Sequence, residues 1–447
     1  MRKFFCALFA VYAVFIGIDA FALDLTLDDA TKRIIVESND LKKADANLKK
    51  AQASLDAVNA NRWFNIEATA TYMNLVNVEK PLDSFNVKLP PEIGGILQQV
   101  LASSGISMQM PEKLHIPDNI FMAGVTITQP IYTFGKIGNA VDSMRSMIKM
   151  SEQSKELVMR EVKYSAADLY WTAKMTDEIV KIAKKNLNDA VDAKKKLVGA
   201  GRANRGNLVK IESDIETKKI NLADAEFNRD TAHRMLKIFA GVDTTEELNL
   251  VDNFPKGFEK MDDKTLSNTP QWEILREQVN MYTAKSASER ANGLPTLAAV
   301  GSYNYVTMDT DLNNLFNDNA SQSAYWGLAF KMPIFSGGVN RANATVDAMN
   351  AVAAQQDLDK AKKITSEQYL TAIRQYNHLR DNLSGLAKAR DLAAKAYDFS
   401  RDRFAAGQTS AVELADVSAG LYQLDMALLN AKYKILMAQE SVKKLGE

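Results

Sequence analysis

With one cysteine, three histidines and ten prolines in 447 residues, the chain excludes several classes of protein by what it lacks. Cys6 has no second thiol to pair with, so no internal disulfide staples the fold. His115, His233 and His378 are scattered without the spacing of a ligand set. No glycine-rich phosphate loop, Gly-x-Ser-x-Gly elbow or His-Glu-x-x-His helix occurs. The expectation is therefore no catalytic residue, no metal site, no cofactor and no enzymatic activity. Fifty-five Lys and Arg balance 55 Asp and Glu, leaving no cationic surplus for nucleic acid. Past residue 22 no apolar run approaches the ~20 residues of a membrane helix. Scarce Pro and Gly beside 46% hydrophobic and 25% charged residues suit long helices instead.

The N-terminus reads as a removable address over residues 1–22. Arg2-Lys3 form a positive region, Phe4–Ile18 an apolar one, and Ala20-Phe21-Ala22 a small-residue cleavage site. The mature chain is expected to begin at Leu23 and to carry no cysteine, which removes the attachment point for an N-terminal lipid.

What the chain does have is a repeated junction. Gln129-Pro130-Ile131-Tyr132-Thr133-Phe134-Gly135-Lys136 is echoed by Met332-Pro333-Ile334-Phe335-Ser336-Gly337-Gly338. Each copy follows a strand-like run, Ile120–Thr128 or Ser323–Lys331, and opens a long helical run. Pro closes a strand because it cannot donate to the ladder, and Gly135 and Gly338 permit the turn that follows. The organisation around these junctions is duplicated: 23–240 and 269–447 are two repeats joined by a polar linker at 241–268.

The first repeat opens with an apolar 3/4 alternation, Leu41, Ala44, Leu48, Ala51, Leu55 and Val58, a coiled-coil seam within one helix from Leu27 to about Asn61. Asn65–Val78 changes to strand periodicity, and Phe121, Ala123, Val125 and Ile127 repeat it. Between them residues 80–119 are long, proline-bearing and irregular, with one short helix expected at Glu92–Ala102, and are placed outside the cell. After Gly135 a helix of roughly 90 Å runs to about Val198, its seam including Ala183, Leu187, Ala190 and the polar Lys194. Gly199-Ala200-Gly201 ends it, and Asn204 caps the next helix. The second repeat has a helix at Pro270–Asn292, strands around Leu297–Tyr305 and Ser323–Lys331, and a helix to about Ala405. Gly407 breaks that helix and Ser410 caps the last one.

Strands of this length and alternation suit a tilted membrane span, yet four cannot close a barrel, and an open edge cannot sit in lipid. Several copies of the chain must close it, and twelve strands from three copies fit best. Tyr72, Tyr132, Phe134, Tyr303, Trp326 and Phe335 would supply an aromatic belt. The fold class expected is an α+β membrane protein: four transmembrane strands per chain in a trimeric 12-stranded barrel, continuous with a long helical coiled-coil barrel.

These residues resemble the TolC family of outer-membrane efflux and secretion ducts over the whole mature chain. The resemblance rests on the duplicated Pro-Ile-aromatic-x-x-Gly junction, on the strand–loop–strand pair of each half, and on the tips Ala200-Gly201-Arg202 and Ala406-Gly407-Gln408. It implies a homotrimer in the outer membrane of a Gram-negative cell and a helical tunnel across the periplasm. It also implies two partners, a periplasmic adaptor and an inner-membrane efflux or ABC transporter. Phe64 stands where the family often has Pro, whereas Pro295 conforms. The family further implies that Glu413 and Asp416, three apart on one helical face, line a pore constriction; Ser410 and Glu413 equally form a capping box. The family's tyrosine–arginine–acid clasp falls on Phe404, Thr409 and Asn207, which cannot form it, so Arg202 and Arg205 are the candidates to reach Glu413 or Asp416. Gly201, Arg202, Asn204, Asn207, Phe404, Gly407, Thr409 and Ser410 make up the tip expected to meet the adaptor. Two rival readings are a heavy-metal export duct, suggested by Met108 and Met110, and a non-conducting surface coiled-coil scaffold.

Overall fold

The computed structural model describes residues 23–75, 79–81, 113–115, 119–199, 204–309, 311–316 and 320–446. The leader at 1–22, the tip residues Gly201 and Arg202, most of the 80–119 loop with its expected helix, and Met108 and Met110 lie outside these residues. The elements in order are β1 (Leu23–Leu25), α1 (Leu27–Glu37), α2 (Asn39–Ala60), β2 (Asn65–Asn74), β3 (Glu79–Pro81), β4 (Lys113–His115) and β5 (Asn119–Tyr132). They continue with α3 (Lys136–Gly199), α4 (Arg205–Phe239), β6 (Leu248–Leu250), α5 (Pro270–Ala291), β7 (Thr296–Asp309), β8 (Ser321–Lys331), α6 (Val339–Ala405) and α7 (Ala411–Gly446). Two compact units result. One holds the described residues to Gln52, Ser146–Val279 and those from Val352 on; the other holds Ala53–Arg145 and Asn280–Ala351.

In the strand-bearing unit, β2-β5-β7-β8 form one antiparallel sheet, and β3 pairs with β4 in a separate two-stranded one. Register decides which side chains share a face. Ile66 lies opposite Ile127, Val125 opposite Tyr303, Gly301 opposite Trp326 and Leu297 opposite Phe330. Because side chains alternate along a strand, that face carries Ile66, Tyr72, Val125, Tyr303, Leu328 and Phe330, and its one charged residue is Asp309 at the end of β7. Much of it is open, with Trp326 90% exposed. The opposite face carries Glu67, Thr69, Thr126, Ser302, Asn304 and Lys331, and Thr126 and Ser302 hydroxyls meet at 3.1 Å. One apolar face and one wet face on strands of 10 to 14 residues is the pattern of a sheet standing between lipid and a water-filled lumen. Among the described residues β2 and β8 each pair on one side only.

Two junction details differ from expectation. Pro130 does not end its strand. It pairs with Ala298, while Tyr132 pairs with Leu297, so Ile131 is a bulge and β5 runs on to Tyr132. A bulge is one of the few places where a sheet tolerates proline. At the second junction β8 does stop before Pro333. Both turns use left-handed glycine, Gly135 at φ 86° and Gly338 at φ 81°.

The helical unit is built on α3 and α6, of 64 and 67 residues. Its largest buried cluster joins Leu25, Ile34, Ala166, Tyr170, Trp171, Leu236 and Leu250. The linker at 241–268 is less irregular than its polarity suggests. Its β6 pairs in parallel with β1, and Tyr376 and Asn377 hold the backbone of Glu259 and Met261. Tyr170 Oη donates to the Leu25 carbonyl at 3.1 Å, and the Lys174 ammonium donates to that of Leu250 at 2.7 Å. The first helix is two helices, because Ser38 ends α1 and its hydroxyl accepts from Leu41 N at 3.3 Å in α2. In α3 the seam residue is Ala193, with Lys194 reaching out to Glu212 at 2.8 Å.

No helix among the described residues is long and apolar enough to cross a membrane, which says nothing of the strands.

Candidate functional site

The two helix-to-helix reversals of the helical unit come together. Asn204 caps α4, its side chain accepting from Asn207 N at 2.7 Å. At the other reversal, Gly407 at φ 75° ends α6, with Gly407 N bonded to Phe404 O and Gln408 N to Arg403 O. Ser410 Oγ accepts from Glu413 N at 3.2 Å, so Ser410 caps α7 as its position suggests. Asn207 then joins the reversals, accepting from Ala411 N at 3.3 Å.

Three positions implied for a polar clasp serve other ends. Phe404 is 2% exposed, packed with Ala193, Leu197, Ile211, Tyr397 and Leu414 in the apolar core of this tip. Thr409 donates to the Glu413 carboxylate, and Asn207 bonds backbone. The capping box is one-sided, since the Glu413 side chain turns to Thr409 and to Arg403 Nη1 at 3.6 Å. Among the described residues Arg403 is the cation that meets Glu413, and Arg205 pairs with neither acid; Arg202 lies outside them. Sequence reasoning passed over Arg403, whose only signal is that it lies one turn before Gly407. Asp416 is exposed and has no hydrogen bond or ion pair among the described residues.

Just beyond the tip lies a polar group that sequence did not reveal. Lys218 of α4 is 5% exposed. Its ammonium donates to Asn186 Oδ1 of α3 at 2.8 Å and to Ser418 Oγ of α7 at 3.2 Å, with Asp214 at 3.5 Å. Ser418 also donates to Asn186 at 3.0 Å. Burial lowers the Lys218 pKa, opposed by Asp214, and burial raises those of Asp189 and of Tyr397, the latter to about 12. Arg390 Nε bonds Asp425 at 2.6 Å, adding α6 to the set of helices held here.

A sheet with one largely apolar face, long helices and two adjoining helix reversals are the features expected from the sequence for an outer-membrane duct. The sequence model described as outer membrane efflux protein matches residues 31–242 and 263–446. The chain belongs to the outer membrane efflux protein family.

Relatives are distant. The alkaline protease secretion protein AprF of Pseudomonas aeruginosa is 20% identical over 331 residues, covering 71% of this chain and 68% of AprF. The outer membrane protein TolC of Vibrio cholerae is 27% identical over 229 residues, about half of either chain at 47%. Solved structures align far more fully. The Campylobacter jejuni CmeC outer membrane channel has a TM-score of 0.73 at 17% identity, covering 94% of this chain and 86% of CmeC. The open state of the Neisseria gonorrhoeae MtrE outer membrane channel has a TM-score of 0.70 at 17% identity, covering 94% and 88%. As a member of this family the chain is an outer-membrane duct of efflux or secretion, extending into the periplasm, and the family is one of channels rather than of enzymes.

Proposed function

We propose that the protein is one third of a passive exit tunnel, completed by two further copies and fed by an inner-membrane transporter through a periplasmic adaptor. The sheet carries this reading. Its apolar face, charged only at the terminal Asp309, suits lipid, while the outer edges of β2 and β8 would present unpaired N–H and C=O groups to hydrocarbon, at several kcal/mol for each one left unsatisfied. Pairing β8 of one copy with β2 of the next removes both edges, and three copies supply twelve strands. A non-conducting scaffold has no use for the apolar face. A metal-export specialisation rests only on Met108 and Met110, outside the described residues.

Asp416 is the better candidate to line the constriction, because no partner holds it among the described residues; Glu413 is partly engaged by Thr409 and Arg403. Repeated by threefold symmetry they form two carboxylate rings, within a Debye length of ~8 Å of a passing ion at physiological salt. Replacing Glu413 and Asp416 with Ala is expected to lower cation selectivity, read as the reversal potential across a planar bilayer in a salt gradient. The trimer's melting temperature should change little. A lower melting temperature with an unchanged reversal potential would return both acids to a structural role.

A further inference from the structure

The four strand–helix junctions stand at one end of the sheet: residues 61–64 before β2, 130–138 after β5, 290–296 before β7 and 331–341 after β8. They share two properties. The first is open apolar surface. Trp63, Phe64, Ile131 and Tyr132 are more than half exposed, Ile334 is 96% exposed and Phe335 88%. The second is charge. These segments contain Arg62, Lys136, Arg290 and Arg341, with Lys331 on the wet face of the sheet, and not one Asp or Glu. All five cations are exposed, and none has an acidic partner among the described residues. The opposite end of β7 and β8 reverses this, with Asp309 and Asp311 and no cation between Val306 and Gln322.

The junctions are held rather than loose. Gln129 Nε2 donates to Arg62 O at 2.8 Å, Ser288 Oγ donates to Lys136 O at 3.0 Å, and the Tyr132 and Phe134 rings meet edge-on at 4.6 Å. Large apolar side chains kept in the open beside unpaired cations cost stability in water and gain it at a bilayer boundary, where rings and aliphatic chains enter the acyl region and cations meet phosphates. Since α2, α3, α5 and α6 all join the sheet here, this end faces the periplasm.

We propose that the junctions form a collar that binds anionic phospholipid in the periplasm-facing leaflet. The inference rests on the outer-membrane duct reading and adds a lipid partner to it. The collar is continuous with the apolar face of the sheet, and its charge is complementary to an anionic headgroup rather than to another protein's apolar surface.

The test is full-length protein reconstituted in vesicles of about 3:1 phosphatidylcholine to phosphatidylglycerol, with spin-labelled forms of each lipid reporting which is immobilised at the protein. Wild type is expected to hold the anionic lipid at least ~5-fold over the zwitterionic one, since each interfacial Lys or Arg contributes about that factor. Changing Arg62, Lys136, Arg290 and Arg341 to Gln should abolish the preference. Raising salt from about 0.05 to about 0.5 M should abolish it in wild type, a measurement that needs no variant to fold. Equal immobilisation of the two lipids by wild type, or a preference that survives high salt or the neutral variant, overturns the collar. Conductance recorded in the same preparation keeps the readings apart: a conducting wild type without lipid preference refutes only the collar, and a non-conducting trimer refutes the duct.

Discussion

Lys218 offers a sharp test of the forces near the tip, because two large terms oppose each other there. Burying an ammonium costs several kcal/mol. Against this stand two hydrogen bonds from a charged donor, at about 1.5–3 kcal/mol each, and an acid 3.5 Å away. The terms nearly cancel, which makes the aliphatic stem the main stabilising part of the residue. Lys218→Met keeps the stem and removes both the cost and the bonds. Asn186 and Ser418 still bond one another at 3.0 Å, and Asp214 has access to water, so no buried group is stranded. Lys218→Met should therefore lie within about 1 kcal/mol of wild type, whereas Lys218→Ala, which opens a cavity, should lose about 2–3 kcal/mol. Native-state hydrogen exchange over α4 reads the local opening free energy directly. The pH dependence has a definite sign. A lysine whose folded pKa lies below its unfolded 10.5 binds fewer protons when folded, so wild-type protection should rise as pH climbs toward 10. Above that the buried Tyr397, neutral up to about 12, acts in the opposite direction. Lys218→Met should flatten the rise below pH 10. If Lys218→Met instead loses as much as Lys218→Ala, the ammonium bonds outweigh burial and the reasoning fails.

Two further outcomes follow from packing. Phe404→Ala should destabilise the tip by about 3–5 kcal/mol while Phe404→Leu costs far less, read as protease susceptibility at the α6–α7 turn; equal susceptibility would show that the ring is not a core element. Leu328→Arg places a charge on the apolar face and should cost about 2–4 kcal/mol if that position is near mid-bilayer, whereas Thr126→Arg on the wet face should be tolerated. Trimer yield after refolding into vesicles distinguishes them, and equal tolerance would mean the lipid face is misassigned.

The strands and long helices were legible because each carries many residues of one period, so single exceptions do not blur them. Pro130 reads from sequence as a strand end because proline marks a strand end or a bulge equally well, and only the partner strand decides. The Ser38 break precedes the apolar seam that begins at Leu41; the Ser38-Asn39-Asp40 cluster is its signal, outweighed by the helical character on both sides. Lys218 looked like its neighbour Lys219, and nothing local says which of two adjacent lysines the fold turns inward. The tip's geometry depends on four helices meeting, so the Glu413–Arg403 pair could not be read from either segment alone.

The parallel pairing of β1 with β6 also constrains how the chain is made. Leu27 N bonds Asp252 Oδ2 across 225 positions, and Leu23 N bonds Glu247 O. A chain emerging from its N-terminus presents β1 long before its partner exists. Three residues are too few to hold a strand alone, and also too few to recruit a wrong one. β1 must wait through the export of β2 and β5, whose own pairing is far more local. It is received only when Tyr170 and Lys174 of α3 have come into place and β6 has followed. β1 is thus among the last elements up to β6 to become structured.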